Sequence, residues 1–565
     1  MIGDQLCFLG SGKGKTGYNM NNSDQMPYFD QVPDLSGIRV NAAQDFNENT
    51  LENAPRIGQK GEFIGRNHTI GLENASTIYI NDGVIGIDKW AFSNYKNLRK
   101  IRLPESIRVI EDCAFYECEQ LHGISLPASL ESLGTYVFYN SGLTSIFFGG
   151  NIQEIPEGTF AECRRLRLVM RSSGVIEKIG KNAFSNCTGL TDTYFIMNVK
   201  ELGENAFQGC ENIGRIEFEG DIVEIPDGTF KNCKCLSLDL PYGIKKVGKE
   251  AFAECTSLVD LSLPSTIKEF GQRAFSGCTR LWEVDFHGEM PEIDDSIFEG
   301  CTNLYEVKLP RKLRRIGHGA FEGCKNLTKV EFPETIEEIG QSAFRQCKNL
   351  ERVILNEGIE RIEASAFYEC QNLKEIVFPE SMREIGKLAF GNCENLTRVV
   401  LPKSIQVMEP CVFRCCRNLE KVEIEEGTTK IFVATFYGCS GLRQIKLPES
   451  LEAIEIAAFV LSGLEGIDLP RKVRKIGEGA FENCKNLTRA VLPKSIQVME
   501  AGVFKGCEKL SEVEIEEGTT QIFDGTFYEC SDLKQIKLPK SLEVIGFAAF
   551  GHSGIEEIDL PEKVR

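Results

Sequence analysis

The chain has 565 residues, 42% of them apolar, and its 64 basic against 83 acidic side chains leave a formal charge of −19. That balance argues against nucleic acid and anionic membrane surfaces as partners, since both are held by clustered basic groups. The apolar content is enough for a continuous core, and no run reaches the roughly 18 apolar residues needed to span a bilayer, so no membrane insertion is expected.

Residues 1–50 are rich in Gly, Asn, Asp and Gln and are expected to be irregular or disordered. The opening nine residues make a poor export signal, because Asp4 stands where positive charge is wanted and the apolar stretch is short. Gly10 to Thr16 invites a phosphate-loop reading, but Leu9 occupies the place of the first glycine, so the stretch reads as a mildly basic tail. Residues 51–76 are expected to form a partial N-terminal cap.

From residue 77 to 565 one unit recurs. Twenty-one phenylalanines, from Phe92, Phe115 and Phe138 to Phe504, Phe527 and Phe550, follow one another at a step of 23 residues, slipping to 22 or 24 four times. Such a period predicts a solenoid of about 21 rungs, a single elongated body rather than several domains. The unit reads I-G-x-x-A-F-x-x-C-x-N-L-x-x-I-x-L-P. Its L-x-x-I-x-L stretch alternates apolar and variable residues, as a strand with one buried face does. Thirteen rungs close this strand with proline, among them Pro104, Pro264, Pro310, Pro402 and Pro539. Proline has no N–H for a ladder and ends the pairing. The glycine of I-G and the asparagine of C-x-N-L are expected at positive φ in tight turns. Twenty steps of about 4.8 Å predict a sheet of about 100 Å.

This unit resembles the signature of the BspA-type leucine-rich repeat proteins over residues 77–565. The resemblance implies a right-handed leucine-rich-repeat β-solenoid or horseshoe, with a parallel sheet on one face and little helix. It further implies surface or secreted proteins of anaerobic bacteria and parasitic protists that adhere to host matrix proteins and cells. The motif residues themselves are core and turn, so they specify the fold and not a site.

Seventeen of the 22 cysteines lie three residues after the repeat phenylalanine, from Cys118 to Cys530. That regularity predicts a row of buried thiols packing as small apolar groups, with Ser141, Ser462 and Ser553 standing in on three rungs. Cys7, Cys113, Cys235, Cys411 and Cys415 fall outside the row. Cys411, Cys415 and Cys416 lack the second cluster or the histidine that a zinc site needs, so no metal is expected. The five histidines are scattered, and no Ser/His/Asp set is expected in matching columns of neighbouring rungs. The chain is read as non-catalytic and without a cofactor.

Aligned by rung, the outward strand positions single out one region. Trp282 and Tyr305 occupy the same column on neighbouring rungs, with Val259 before them and Thr328 after. Ile354, Val377 and Val400 form three apolar rungs in a parallel column, and Asp260, Glu283, Asp285 and Glu306 flank the aromatic pair. Exposed aromatics side by side are typical binding anchors, while β-branched and aromatic residues also favour strands for their own sake. The region predicts a protein partner with a basic, partly apolar surface, which the resemblance would make an extracellular-matrix or host protein. Location is left open: the cell surface or outside by resemblance, the cytoplasm by the poor export signal. An intracellular scaffold is the alternative.

Near the C-terminal end, residues 492–565 duplicate 401–474 at an offset of 91. Leu401–Glu409 is identical to Leu492–Glu500, and Val422–Thr429 to Val513–Thr520. The sequence stops just after a Leu-Pro strand end, which predicts an open strand edge there.

Overall fold

The computed structural model describes residues 54–564, apart from 150–151, 172–174, 219–220 and 235. The segment 1–50, with its glycine-lysine stretch and Cys7, and also Cys235, lie outside the described residues. Within them the chain is a parallel-strand solenoid of about 21 turns. Among the described residues helix is limited to one turn, Arg66–Thr69, and a 3-10 turn at Tyr194–Ile196.

Each turn is built from the same three sides. The first is the expected strand. Asp260–Leu263, Glu283–Phe286 and Glu306–Lys308 lie side by side, with Leu261, Val284 and Val307 in register. All three point inward and are buried, while their neighbours along the strand face out, as the two-residue period of a pleated strand requires. The second side is a ladder that the sequence did not announce. It consists of two-residue strands at the isoleucine of I-G, and runs unbroken through six turns from Glu292–Ile293 to Val407–Met408. The first described residues already join both ladders. Arg56–Ile57 pairs with Thr77–Ile80, and Phe63–Ile64 with Gly86–Ile87.

The third side carries the Ala-Phe pair. Here each turn bonds the next through Phe N–H groups, as in Phe275 to Ile297 O (2.9 Å) and Phe298 to Ala320 O (2.8 Å). Left-handed residues stand two before and two after each phenylalanine, for example Ser296 at φ 54° and Gly300 at φ 73° around Phe298. Alternating left- and right-handed residues turn successive peptide groups along the stacking direction, which lets these amides reach the following turn.

The positive φ therefore falls elsewhere than expected. The I-G glycine is not left-handed; it is needed for space. A Cβ at Gly271 would stand 2.3 Å from Lys249 N, and one at Gly386 2.4 Å from Ala364 N. On several turns where glutamate replaces this glycine, its carboxylate accepts from the amide of the preceding turn, as Glu363 does from Gln341 (2.9 Å) and Glu409 from Lys387 (2.7 Å). Nor is the asparagine of C-x-N-L left-handed. From Asn303 to Asn418 six of them form a side-chain ladder, each Nδ2 donating to the preceding Oδ1 at 3.2–3.4 Å.

The core is one continuous cluster. All 21 phenylalanine rings stack in succession, with centroids 5.2–5.9 Å apart, from Phe92–Phe115 at one end to Phe527–Phe550 at the other. Phe286, Phe332 and Phe378, at the inward strand end, meet this stack edge-on. Burying each ring contributes roughly 1.5–3 kcal/mol. Beside the rings runs the thiol row. Each Sγ donates to the phenylalanine carbonyl of the turn before, as Cys347 does to Phe321 (3.2 Å) and Cys370 to Phe344 (3.2 Å). Ser141 and Ser462 keep the row intact by bonding the thiols of Cys163 and Cys484, each at 3.2 Å. Burial pushes the thiols of Cys118 and Cys530 up to about 12, which suits packing groups and not nucleophiles. Cys113, Cys411 and Cys415 occupy left-handed positions on the third side.

Candidate functional site

Leu281 and Leu304 are buried just before two neighbouring strands, Glu283–Phe286 and Glu306–Lys308, and the residue after each is exposed. These residues are Trp282 and Tyr305. Their backbones bond in series, Trp282 N–H to Val259 O (2.6 Å) and Tyr305 N–H to Trp282 O (2.9 Å). Their rings stack with centroids 4.7 Å apart and planes within 7°. Despite that stacking, Trp282 remains 47% exposed and Tyr305 42%. Val259 is exposed on the turn before, and Thr328 is half-buried on the turn after.

The apolar column is less uniform than the sequence suggested. Ile354 and Val377 are exposed, but Val400 is half-buried. Val377 and Val400 are register partners, whereas Arg352–Ile354 belongs to a different hydrogen-bonded sheet from Glu375–Val377. The column is bounded by Glu331, opposite Ile354, and by Glu423, opposite Val400.

The acidic flank is also altered. Asp260, Glu283 and Glu306 are register partners and form a column of three carboxylates. Lys308 reaches across to Glu283 (2.6 Å) and Asp285 (3.2 Å), and its ammonium is held well above its ordinary range by those two bonds. Two of the four carboxylates are thus committed. Asp260 and Glu306 have no ion-pair partner among the described residues.

No Ser/His/Asp set is expected in matching columns of neighbouring rungs, but side-chain reach brings one together across columns. Ser262 and Asp285 are register partners. His287 stands two residues beyond Asp285, with its Nε2 3.1 Å from Ser262 Oγ and its Nδ1 3.4 Å from Asp285 Oδ1. Aligning by the phenylalanines places Ser262 opposite Asp285; the neglected signal was that a residue two further on can fold back over that pair. The set nonetheless lacks the enclosure that makes such a relay an efficient nucleophile. Ser262 and His287 lie exposed on an open face, and Asp285 is shared with Lys308.

Cys416 belongs to the thiol row and donates to Phe390 O (3.2 Å), while Cys411 and Cys415 lie outside it, half-buried. Among the described residues no group of three or more His, Cys, Asp or Glu could hold a metal ion, and no helix is long and apolar enough to cross a membrane.

The sequence matches the family described as BspA type leucine rich repeat region (6 copies) over five segments, residues 46–167, 168–238, 223–351, 337–462 and 452–565. Among solved structures it is similar to a leucine-rich repeat protein from Bacteroides ovatus ATCC 8483, at 22% identity over 78% of this chain and 87% of that one, with a TM-score of 0.43. It is also similar to a leucine-rich repeat protein from Eubacterium ventriosum ATCC 27560, at 22% identity over 49% and 84%, with a TM-score of 0.29. A leucine-rich cell surface protein from Faecalibacterium prausnitzii A2-165 matches at 19% identity over 78% and 88%, with a TM-score of 0.23. No match was found among curated proteins.

Proposed function

Because the chain belongs to the BspA-type leucine-rich repeat family, whose repeats typically bind proteins and are generally non-catalytic, we propose that its sheet face between residues 259 and 400 binds a protein with a basic, partly apolar surface. The observation that carries this reading is the exposed Trp282–Tyr305 stack, on a face that also exposes Val259, Ile354 and Val377. Large, rigid aromatics contribute disproportionately to protein interfaces. The unpaired carboxylates of Asp260 and Glu306 beside the stack, and the net charge of −19, favour a basic partner. Adhesion to a host or matrix protein is the role that the family resemblance favours.

One observation supports the rival reading of an intracellular scaffold. The thiols from Cys118 to Cys530 stand in one regular buried row, each donating to a backbone carbonyl of the turn before, a packing role that suits a reducing compartment. Surface biotinylation of intact source cells separates the two: labelling places the chain outside, and protection matching that of a cytosolic control places it inside. The binding face has its own test. The Trp282→Ala/Tyr305→Ala chain is expected to lose at least tenfold in affinity for a protein partner of the wild type, and full retained affinity would remove this face from consideration.

A further inference from the structure

Tyr305 has one ring face against Trp282 and the other toward the turn of Thr328. At that step the sheet lapses: Glu306–Lys308 is the last strand of one hydrogen-bonded sheet, and Lys329–Glu331 starts the next. A cavity of about 420 Å³ lies there, lined by Tyr305, Glu306, Lys308, Thr328, Lys329 and Glu331 among others. Its two lysines already have anionic partners, Lys308 in Glu283 and Asp285 and Lys329 in Glu331. The uncommitted charge at the step is the carboxylate of Glu306.

Elsewhere this solenoid shows what fills such a step. Among the described residues three tyrosines each take the guanidinium of the arginine 23 residues before them, on the preceding turn. Arg56 lies over Tyr79 at 5.4 Å, Arg345 over Tyr368 at 5.7 Å, and Arg414 over Tyr437 at 5.2 Å. The first of these pairs is on the sheet face itself, where Arg56 and Tyr79 are register partners. One turn of the solenoid is thus the separation at which a planar cation stacks on a tyrosine ring. In the duplicated block lysine replaces arginine at position 505, and its ammonium pairs with Glu482 (3.1 Å) while Tyr528 instead packs against His552. A guanidinium is flat and weakly hydrated and stacks where an ammonium stays solvated.

We propose that the step between Tyr305 and Thr328 is a binding slot for an arginine side chain of the partner, stacked on the open face of Tyr305 with its charge met by Glu306. This rests on the sheet-face reading above and names the group that the face recognises. The side chain of Thr328 is too short to occupy the step, so the slot stays open in the free chain.

The test is fluorescence anisotropy of labelled tri-arginine and tri-lysine peptides with the full chain at physiological salt. The acidic surface attracts both peptides alike, so the ratio of the two affinities isolates the stacking contribution. The wild type is expected to prefer arginine by roughly two- to fivefold. Tyr305→Ala should abolish the preference by removing the ring. Thr328→Arg should abolish it by filling the step from within. Equal affinities in the wild type, or a preference that persists in Tyr305→Ala or Thr328→Arg, would overturn the slot. Its failure is separable from that of the wider reading: a double alanine variant that loses a protein partner while the peptides show no arginine preference keeps the binding face and discards the slot.

Discussion

Residues 401–474 and their copy at 492–565 have the same backbone scheme and different chemistry on it. Identical stretches make identical contacts. Lys403 N–H donates to Glu425 (3.0 Å) as Lys494 N–H does to Glu516 (3.1 Å), and Gly427 N–H meets Ser450 as Gly518 N–H meets Ser541, both at 2.8 Å. The rings of Phe413 and Phe504 are both fully buried. The differences are concentrated on the outer turns. Cys411 and Cys415, at φ 67° and 58°, become Gly502 and Gly506 at 63° and 69°. Glu455, held between Lys430 (3.2 Å) and Lys475 (3.3 Å), becomes Gly546. Arg414, over Tyr437, becomes Lys505, paired with Glu482. The pair shows that the inward columns and the turn-to-turn hydrogen bonds define the fold, and that the outer positions vary within it.

The most severe way to break this equivalence is to remove a ring from each block. Phe413→Ala and Phe504→Ala are each expected to cost about 3–5 kcal/mol. Because a repeat stack is stabilised turn by turn, amide-exchange protection should fall in the turns flanking each substitution. Unchanged protection around either one would show that the two blocks do not share the same core.

A smaller difference should appear at Glu455. Burial alone would raise its carboxyl, but the hydrogen bonds and charges of Lys430 and Lys475 outweigh burial and hold it below the ordinary value of 4.5. A depressed folded value means that the stabilisation is fully present above the unfolded value and is lost as pH falls through the folded one. Glu455→Gln should therefore cost about 1 kcal/mol at neutral pH, and progressively less below 4.5. Urea midpoints at neutral and acid pH measure this; a cost independent of pH would dismiss the ion pairs. The copy has Gly546 here and should lack this acid sensitivity.

The left-handed cysteines offer a gain. A side chain at positive φ costs roughly 1–2 kcal/mol, and glycine gives back about 0.5–1 through its freer unfolded chain. Cys411→Gly and Cys415→Gly, which convert the first block to its copy, should each raise stability by about 0.5–1 kcal/mol. A lower thermal midpoint in both would show that the thiols contribute contacts outweighing the strain. The smallest effect is expected from Arg414→Lys, about 0.5 kcal/mol from the lost stacking on Tyr437. Measured alongside Lys505→Arg, which should gain little because Glu482 already holds the side chain, it sharpens the contrast between the two cations on which the slot at Tyr305 depends.

The residues by themselves determined the solenoid, its 23-residue turn, the buried phenylalanine and cysteine columns, and which strand positions face outward. Each follows from spacing alone, since a period repeated 21 times leaves every column one environment. Only the tertiary structure decided what neighbouring turns do to one another. It showed the I-G glycine to be a matter of clearance, because Gly271 lies against the backbone of Lys249. It turned the asparagine of C-x-N-L into a ladder member, since Asn326 bonds Asn303 on the turn before. It placed Lys308 between Glu283 and Asp285, and folded His287 over Ser262. Contacts of this kind join residues about 23 apart through side-chain reach and rotamer. A period fixes which columns stand side by side, but the geometry across each step decides which side chains meet.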